Sequence, residues 1–351
     1  MGEAQKLTKT QSPSWNPRIE GLRGVSILLV FFAHINPDFK HKWGTLGVAI
    51  FFIISGYVIT GSISRQISAS TPHELTLRIF LKKFYVRRAR RLLPLAITVI
   101  LLILFTSLFD SSADEKQYVL SAIFCLLYAG NIFGYTFGYT DLAPAIGHFW
   151  SLAVEEQFYF IWPILYFYAF RKFDRKINAT KWTFIGILVI TISHPLIAAT
   201  GKTPYTLPTT YFDLLLMGCC MSLMKDKIEE LKGIRVIFIN CVGFLSFLII
   251  ILSSSSFITS TSSLFYYNFN ALLASSVFLF ALKSNVFNCK VLRFFGKISY
   301  SLYCIHWPLF YFWRTFIGGG FFSMASAGAL SILISLLSQR YFETKFYQPT
   351  V

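Results

Sequence analysis

The chain has 351 residues, of which 55% are hydrophobic and only 14% charged, against about 25% charged in ordinary soluble domains. That composition excludes a conventional water-soluble globule, and at about 20 apolar residues per crossing it leaves room for roughly ten spans and no sizeable soluble domain. The net charge of +16, from 32 Lys and Arg against 16 Asp and Glu, would point to nucleic acid on a soluble chain; in a membrane protein basic residues gather in cytoplasmic loops, so no nucleic-acid partner is expected.

Apolar windows fall near residues 22–37, 44–63, 92–109, 117–134, 149–170, 182–199, 208–224, 234–253, 263–282, 298–316 and 320–338. The first apolar run, 25–33, has no small-residue cleavage pattern behind it and reads as a retained span. Basic residues concentrate in the N-terminal tail, in 65–91, 171–181, 225–235 and 283–297, and in the C-terminal tail. All of these are expected on the cytoplasmic side, which leaves only Lys40, Lys42, Lys116, Lys202 and Arg314 outside. The acidic connector 110–115 then lies outside and the basic connector 171–181 inside, so an odd number of crossings separates them. Of the two windows between, 117–134 is followed by the Gly- and Tyr-rich stretch 131–139 and reads as a re-entrant or outer-surface segment. The expected fold is therefore an all-α integral membrane bundle of about ten transmembrane helices plus that segment, with both termini cytoplasmic. The cysteines, Cys125, Cys219, Cys220, Cys241, Cys289 and Cys304, form no C-x-x-C pair, so neither a disulfide framework nor a metal site is indicated.

Ionisable residues inside spans cost about 2.5–3.5 kcal/mol each on insertion scales and default to functional candidates. In the first span Arg23 and His34 stand eleven residues apart, close to three helical turns and roughly 16 Å along one stripe, with Glu20 near the same stripe. A snorkelling Glu20–Arg23 pair and a helix-end histidine before Asn36 and Pro37 is the structural alternative. The block Lys82-Lys83-Phe84-Tyr85-Val86-Arg87-Arg88-Ala89-Arg90-Arg91-Leu92-Leu93-Pro94 runs into the third span. Positive-inside anchoring explains several of its charges, whereas Arg87, Arg88 and Arg91 on adjoining faces also suit a ligand with several phosphates. At the fifth window, His148-Phe149-Trp150-Ser151-Leu152-Ala153-Val154-Glu155-Glu156-Gln157-Phe158-Tyr159 puts two carboxylates in the first turns of an apolar helix, where the helix dipole accounts for one better than for two. Near the end, Gly296-Lys297-Ile298-Ser299-Tyr300-Ser301-Leu302-Tyr303-Cys304-Ile305-His306-Trp307-Pro308 sets Tyr300, Tyr303 and His306 at i, i+3 positions on one face.

Taken in order, these segments resemble the acyltransferase family 3 of integral membrane O-acyltransferases. The resemblance runs almost end to end. It rests on Arg18-Ile19-Glu20-Gly21-Leu22-Arg23-Gly24 with His34, on Gly47-Val48-Ala49-Ile50-Phe51-Phe52-Ile53-Ile54-Ser55-Gly56-Tyr57, and on Phe84-Tyr85 with the 87–94 block. It continues with the 148–163 block, Gly218, the 296–308 block and Arg340-Tyr341-Phe342-Glu343. Two features depart from the pattern. Where many members carry an arginine shortly before an acidic residue, this chain reads Thr209-Thr210-Tyr211-Phe212-Asp213; and the chain has no room for the extracytoplasmic SGNH-type domain of many relatives, so it resembles the stand-alone branch.

The resemblance implies a domain organisation of cytoplasmic tail 1–17, acyltransferase-3 transmembrane domain 18–342 and cytoplasmic tail 343–351. It implies transfer of an acyl group, most simply acetyl, from cytoplasmic acetyl-coenzyme A to a hydroxyl of a cell-surface glycan such as O-antigen, capsule or exopolysaccharide. The setting is the bacterial cytoplasmic membrane, a separate extracytoplasmic protein is a further expected partner, and no metal is required. In that scheme Arg87, Arg88 and Arg91 hold the coenzyme's phosphates, and His34 acts as general base or transient acyl acceptor. Glu155 orients or charges a histidine, and Arg23 steadies the thioester or the developing negative charge. Glu20, Trp150, Ser151, Tyr303 and His306 line the channel. The outer connectors 133–147 and 253–268 are expected to meet the acceptor. A multi-pass exporter of a glycan or anionic metabolite, and a catalytically silent scaffold, are the competing classes; no paired repeat of broken helices supports the exporter.

Overall fold

The structure is a computed structural model and describes residues 16–35, 42–70, 76–110, 114–138, 142–172, 175–198, 207, 210–252 and 263–346. Lys40, Lys202, most of the connector 253–268 and the chain ends lie outside the described residues. Regular structure among the described residues is helical throughout. In chain order the helices are α1 (Pro17–Ile35), α2 (Lys42–Ser68), α3 (Leu77–Ser107), α4 (Glu115–Leu126), α5 (Gly130–Phe137), α6 (Trp150–Lys172), α7 (Arg175–Ala198), α8 (Phe212–Leu223) and α9 (Lys225–Glu230). There follow α10 (Ile234–Leu252), α11 (Ser263–Lys283), α12 (Lys290–Lys297), α13 (Ser299–Phe316) and α14 (Phe321–Leu337), the last continuing into a π-helical turn, Ser338–Glu343.

Starts and stops follow local chemistry. The Asn16 side chain accepts from the Arg18 backbone N–H, capping α1 ahead of Pro17, whose missing N–H costs nothing in the first turn. Thr76 caps α3 and Asp114 caps α4 through the N–H groups of Lys116 and Gln117. Among the described residues three helices, Trp43–Ser68, Leu77–Ser107 and Phe321–Phe346, are long and apolar enough to cross a membrane by length and composition. Others are apolar but shorter or, like α1, interrupted by polar side chains. The outward surfaces are apolar as well: Leu101, Leu102 and Phe105 on α3, Trp182, Leu188 and Val189 on α7, and Ile237, Phe238 and Leu245 on α10 are exposed. Water does not tolerate such continuous apolar faces, whereas lipid does, and the chain is an all-α protein suited to a membrane.

One segment is more helical than its window, and the window expected not to cross is divided. The basic block 82–94 is not a connector: it forms the first half of α3, which continues through Pro94 to Ser107 and at 1.5 Å per residue runs about 46 Å. The window 117–134 divides into α4 and α5 at Tyr128, which adopts φ 54°. At twelve and eight residues neither piece reaches the roughly 30 Å of a hydrocarbon core. Also absent from the reading was α12, a short basic helix that lies along α1.

The main core gathers α1, α2, α6, α8, α11 and α13, and a second cluster joins α3, α4, the turn 143–149 and α13. At two of the close crossings glycine is required on both helices. A Cβ on Gly56 would overlap the Leu215 carbonyl, and one on Gly218 the Ile53 carbonyl, so α2 and α8 touch backbone to backbone. A Cβ on Gly24 would meet the Leu292 carbonyl, and one on Gly296 the Glu20 carbonyl, which presses α12 onto α1.

Candidate active site

Helices α1, α2, α3, α6 and α13 line a narrow, partly open cavity of about 100 Å³. Its polar lining comprises Arg23, Ser55, Arg88, Arg91, Ser151, Glu155, Tyr159, Ser299, Tyr300 and Tyr303. Three guanidinium groups, which stay charged at any ordinary pH, therefore face one carboxylate, and the cavity is positive.

Each charge is held in place. Arg23 donates to Ser299 Oγ at 3.0 Å. Arg88 lies 3.4 Å from Glu155 and 3.2 Å from Glu156, with its guanidinium carbon 3.8 Å from the centroid of the Tyr159 ring, an arrangement that adds a cation–π contact to two ion pairs. Glu155 also accepts from Ser55 Oγ at 2.7 Å and from the Tyr159 hydroxyl. Arg88 and Arg91, three residues apart on α3, share the face that lines the cavity. Arg87 points away and donates to the Gln66 side chain on α2.

A second polar group sits beyond the cavity. Tyr303 donates its hydroxyl proton to the His148 carbonyl at 2.7 Å, so the 2.6 Å contact with Ser151 Oγ has the serine as donor. That bridge walls the cavity off from three histidines. His34 Nδ1 lies 3.1 Å from His306 Nε2, and the ring centroids are 5.2 Å apart for His34–His306 and 5.8 Å for His148–His306. His306 Nδ1 faces the carbonyls of Leu302 and Tyr303 at 2.8 and 2.9 Å. Carbonyls only accept, so the network assigns the His306 proton to Nδ1. In the neutral ring Nε2 then accepts from His34 Nδ1–H, which leaves the His34 lone pair on Nε2. That is the tautomer of a poised base, oriented by a neutral imidazole.

The structure brings Arg23, Arg88, Arg91, Ser151, Glu155 and Tyr303 to one cavity and His34 and His306 to one hydrogen bond. Several sequence expectations are redirected. Glu155 touches Arg88, Ser55 and Tyr159 and no histidine; the group that orients His34 is His306. Arg87 is committed to Gln66 and does not join the other two arginines. Glu20 pairs with Arg293 of α12 at 3.6 Å, because α12 folds over the start of α1. Trp150 stands behind Phe52 and Tyr211 at 6.3 and 5.1 Å between ring centroids and does not reach the cavity wall. Sequence reasoning also passed over a separate buried polar group, in which His194 of α7 contacts Asn268 of α11 at 2.9 Å near the buried Asp213 of α8. A histidine inside a predicted span was the available signal.

Comparison with known proteins decides the family. The acyltransferase-domain model of the acyltransferase 3 family matches residues 16–340. The chain belongs to that family. Two relatives from Staphylococcus aureus carry O-acetyltransferase names: SAS0844 of strain MSSA476 is 29% identical over 99% of this chain, and OatA of strain NCTC 8325 is 28% identical over 97%. The chain spans 59% and 58% of their respective lengths. No solved structure matches it.

Proposed function

We propose that this acyltransferase-3 protein is a membrane O-acetyltransferase. It takes an acetyl group from acetyl-coenzyme A at the cytoplasmic face of a bacterial cytoplasmic membrane and delivers it to a hydroxyl of a cell-surface glycan. The observation that carries the reading is the His34–His306 hydrogen bond, because it leaves one basic nitrogen at the outer end of α1 beyond a positively charged cavity. Ten crossings with both termini cytoplasmic place the cavity's arginines toward the donor and His34 toward the acceptor. The division of 117–134 into two short helices, neither able to span, supports that count.

In the reaction the acceptor oxygen attacks the thioester carbonyl while its proton passes to His34 Nε2. The C–O bond forms, the C–S bond breaks, and the proton returns from His34 to the departing thiolate to give free coenzyme A. Arg23 and Arg91 hold the anionic donor, and Arg88, neutralised by two glutamates, fixes the wall of the cavity. His306 keeps His34 in its basic tautomer and shares the proton gained.

The test uses purified protein in lipid vesicles with acetyl-coenzyme A and isolated surface glycan. Coenzyme A release should require glycan, and His34→Ala should lower transfer at least about 10³-fold while donor binding stays within a fewfold, as expected for loss of a general base. Transfer retained by His34→Ala would remove the histidine from the mechanism. Absence of any glycan-dependent release by the intact protein would return the exporter reading.

A further inference from the structure

His148 is 5% exposed; neither of its ring nitrogens makes a hydrogen bond of ordinary geometry, and its polar contact is a weak one with the Cys304 backbone. The ring's neighbours are other rings: Phe149 at 4.4 Å, Tyr303 at 5.6 Å and His306 at 5.8 Å between centroids. A buried imidazole so poorly satisfied is costly. Its backbone, by contrast, is pinned, since its carbonyl accepts from the Tyr303 hydroxyl and the residue lies in a short 3-10 turn, Gly147–Phe149, that leads into α6. The ring is thus presented by a fixed backbone.

Its position supplies a task. The Tyr303–Ser151 bridge forms the cavity wall, and His148 stands on the far side of Tyr303, next to His306 and so next to the His34 pair. A thioester carbonyl that passes that bridge enters the group of rings around Tyr303, where His148 at 5.6 Å and His306 at 5.8 Å between centroids both adjoin it. With no carboxylate in contact, the buried ring is uncharged, and in either tautomer it presents one N–H. A neutral imidazole N–H aimed at a carbonyl stabilises the oxyanion that forms on attack, and a water-excluded setting magnifies the effect.

Building on the acetyltransferase reading, we propose that His148 is a further catalytic residue, the hydrogen-bond donor to the thioester oxygen during acyl transfer. As the acceptor oxygen bonds to the carbonyl carbon, the C=O electron pair moves onto oxygen and is held by the His148 N–H. When the pair returns, the C–S bond breaks and the thiolate takes the proton carried by His34. His148 neither gains nor loses a proton in the cycle.

The experiment compares His148→Phe, which keeps a ring of similar bulk without a donor, with His148→Gln, which restores an N–H, in the vesicle assay. His148→Phe should lower kcat by about 10²–10³-fold, the usual loss for one oxyanion donor, with the KM for acetyl-coenzyme A within about twofold. His148→Gln should recover about tenfold of that loss, and both variants should melt within a few degrees of the unaltered protein. A His148→Phe variant with at least half the normal kcat would overturn the proposal. So would equal loss in the two variants, or a loss matched by a fall in melting temperature, since a packing role predicts those results. His34→Ala assayed in parallel separates the two ideas: an intact protein that transfers acetyl and a dead His34→Ala leave the reading standing and judge His148 alone, whereas no transfer by the intact protein removes both.

Discussion

Arg88 shows how the site tolerates charge at membrane depth. Its guanidinium is shared between Glu155 and Glu156 and lies over Tyr159, so removal leaves two mostly buried carboxylates without their cation. Loss of one partner from a buried ion pair costs about 3–5 kcal/mol. Arg88→Met, of similar length, is therefore expected to lower the melting temperature in detergent sharply and to reduce yield, while Arg87→Met, which loses only a hydrogen bond to Gln66, melts close to the unaltered protein. Equal melting of the two would mean that Arg88 is not a structural charge. At this scale the residue types were legible and their partners were not. His34, Arg23 and Glu155 stood out as ionisable groups in apolar helices, but the pairing of Glu155 with Arg88 spans 67 positions and that of His34 with His306 spans 272. Hydropathy carries no information at such separations.

At the level of helices, paired glycines fasten two of the site's helices to their neighbours, α2 to α8 and α1 to α12. Gly56 and Gly218 let α2 and α8 approach until a Cβ on either would strike a carbonyl of the other helix. Relief requires the helices to part, because the obstructing atom is backbone rather than a flexible side chain. Gly56→Ala or Gly218→Ala should each destabilise by at least about 1–3 kcal/mol, the usual penalty of overpacking, measurable as a lowered melting temperature in detergent. Gly320→Ala, where a Cβ meets nothing within 4 Å, should leave it unchanged, and an indifferent Gly56→Ala would refute the close crossing. Each apolar window did become helix, since apolar runs of that length have few other ways to satisfy their backbone in lipid. The continuation of α3 back through the basic block was missed because charge masks apolarity, although Arg and Lys are good helix formers. The break at Tyr128 was unmarked because no proline sits there.

For the whole molecule, orientation is the open quantity, and Cys289 offers a native probe of it. This exposed thiol precedes α12 within the basic segment 283–297, and the backbone N–H groups of Leu292 and Val291 hold its pKa below the ordinary thiol value. More of it is thiolate, the reactive form, at neutral pH, and reactivity falls only as pH drops through the lowered pKa. A membrane-impermeant maleimide should label Cys289 in inverted vesicles and spare it in intact cells, and Cys289→Ser should abolish that signal; labelling from outside would invert the proposed topology. Sequence by itself determined that the chain is helical, that it belongs in a membrane and which polar residues to suspect, because composition and the period of apolar residues are local properties and burial in lipid leaves a backbone few alternatives. Only the tertiary structure decided that Arg88 is neutralised while Arg23 and Arg91 line the same cavity, that His306 rather than Glu155 orients His34, and that His148 is buried beside Tyr303 and His306. Those outcomes depend on which helix faces come together, and that is settled by glycine contacts and shape complementarity among residues far apart in the chain.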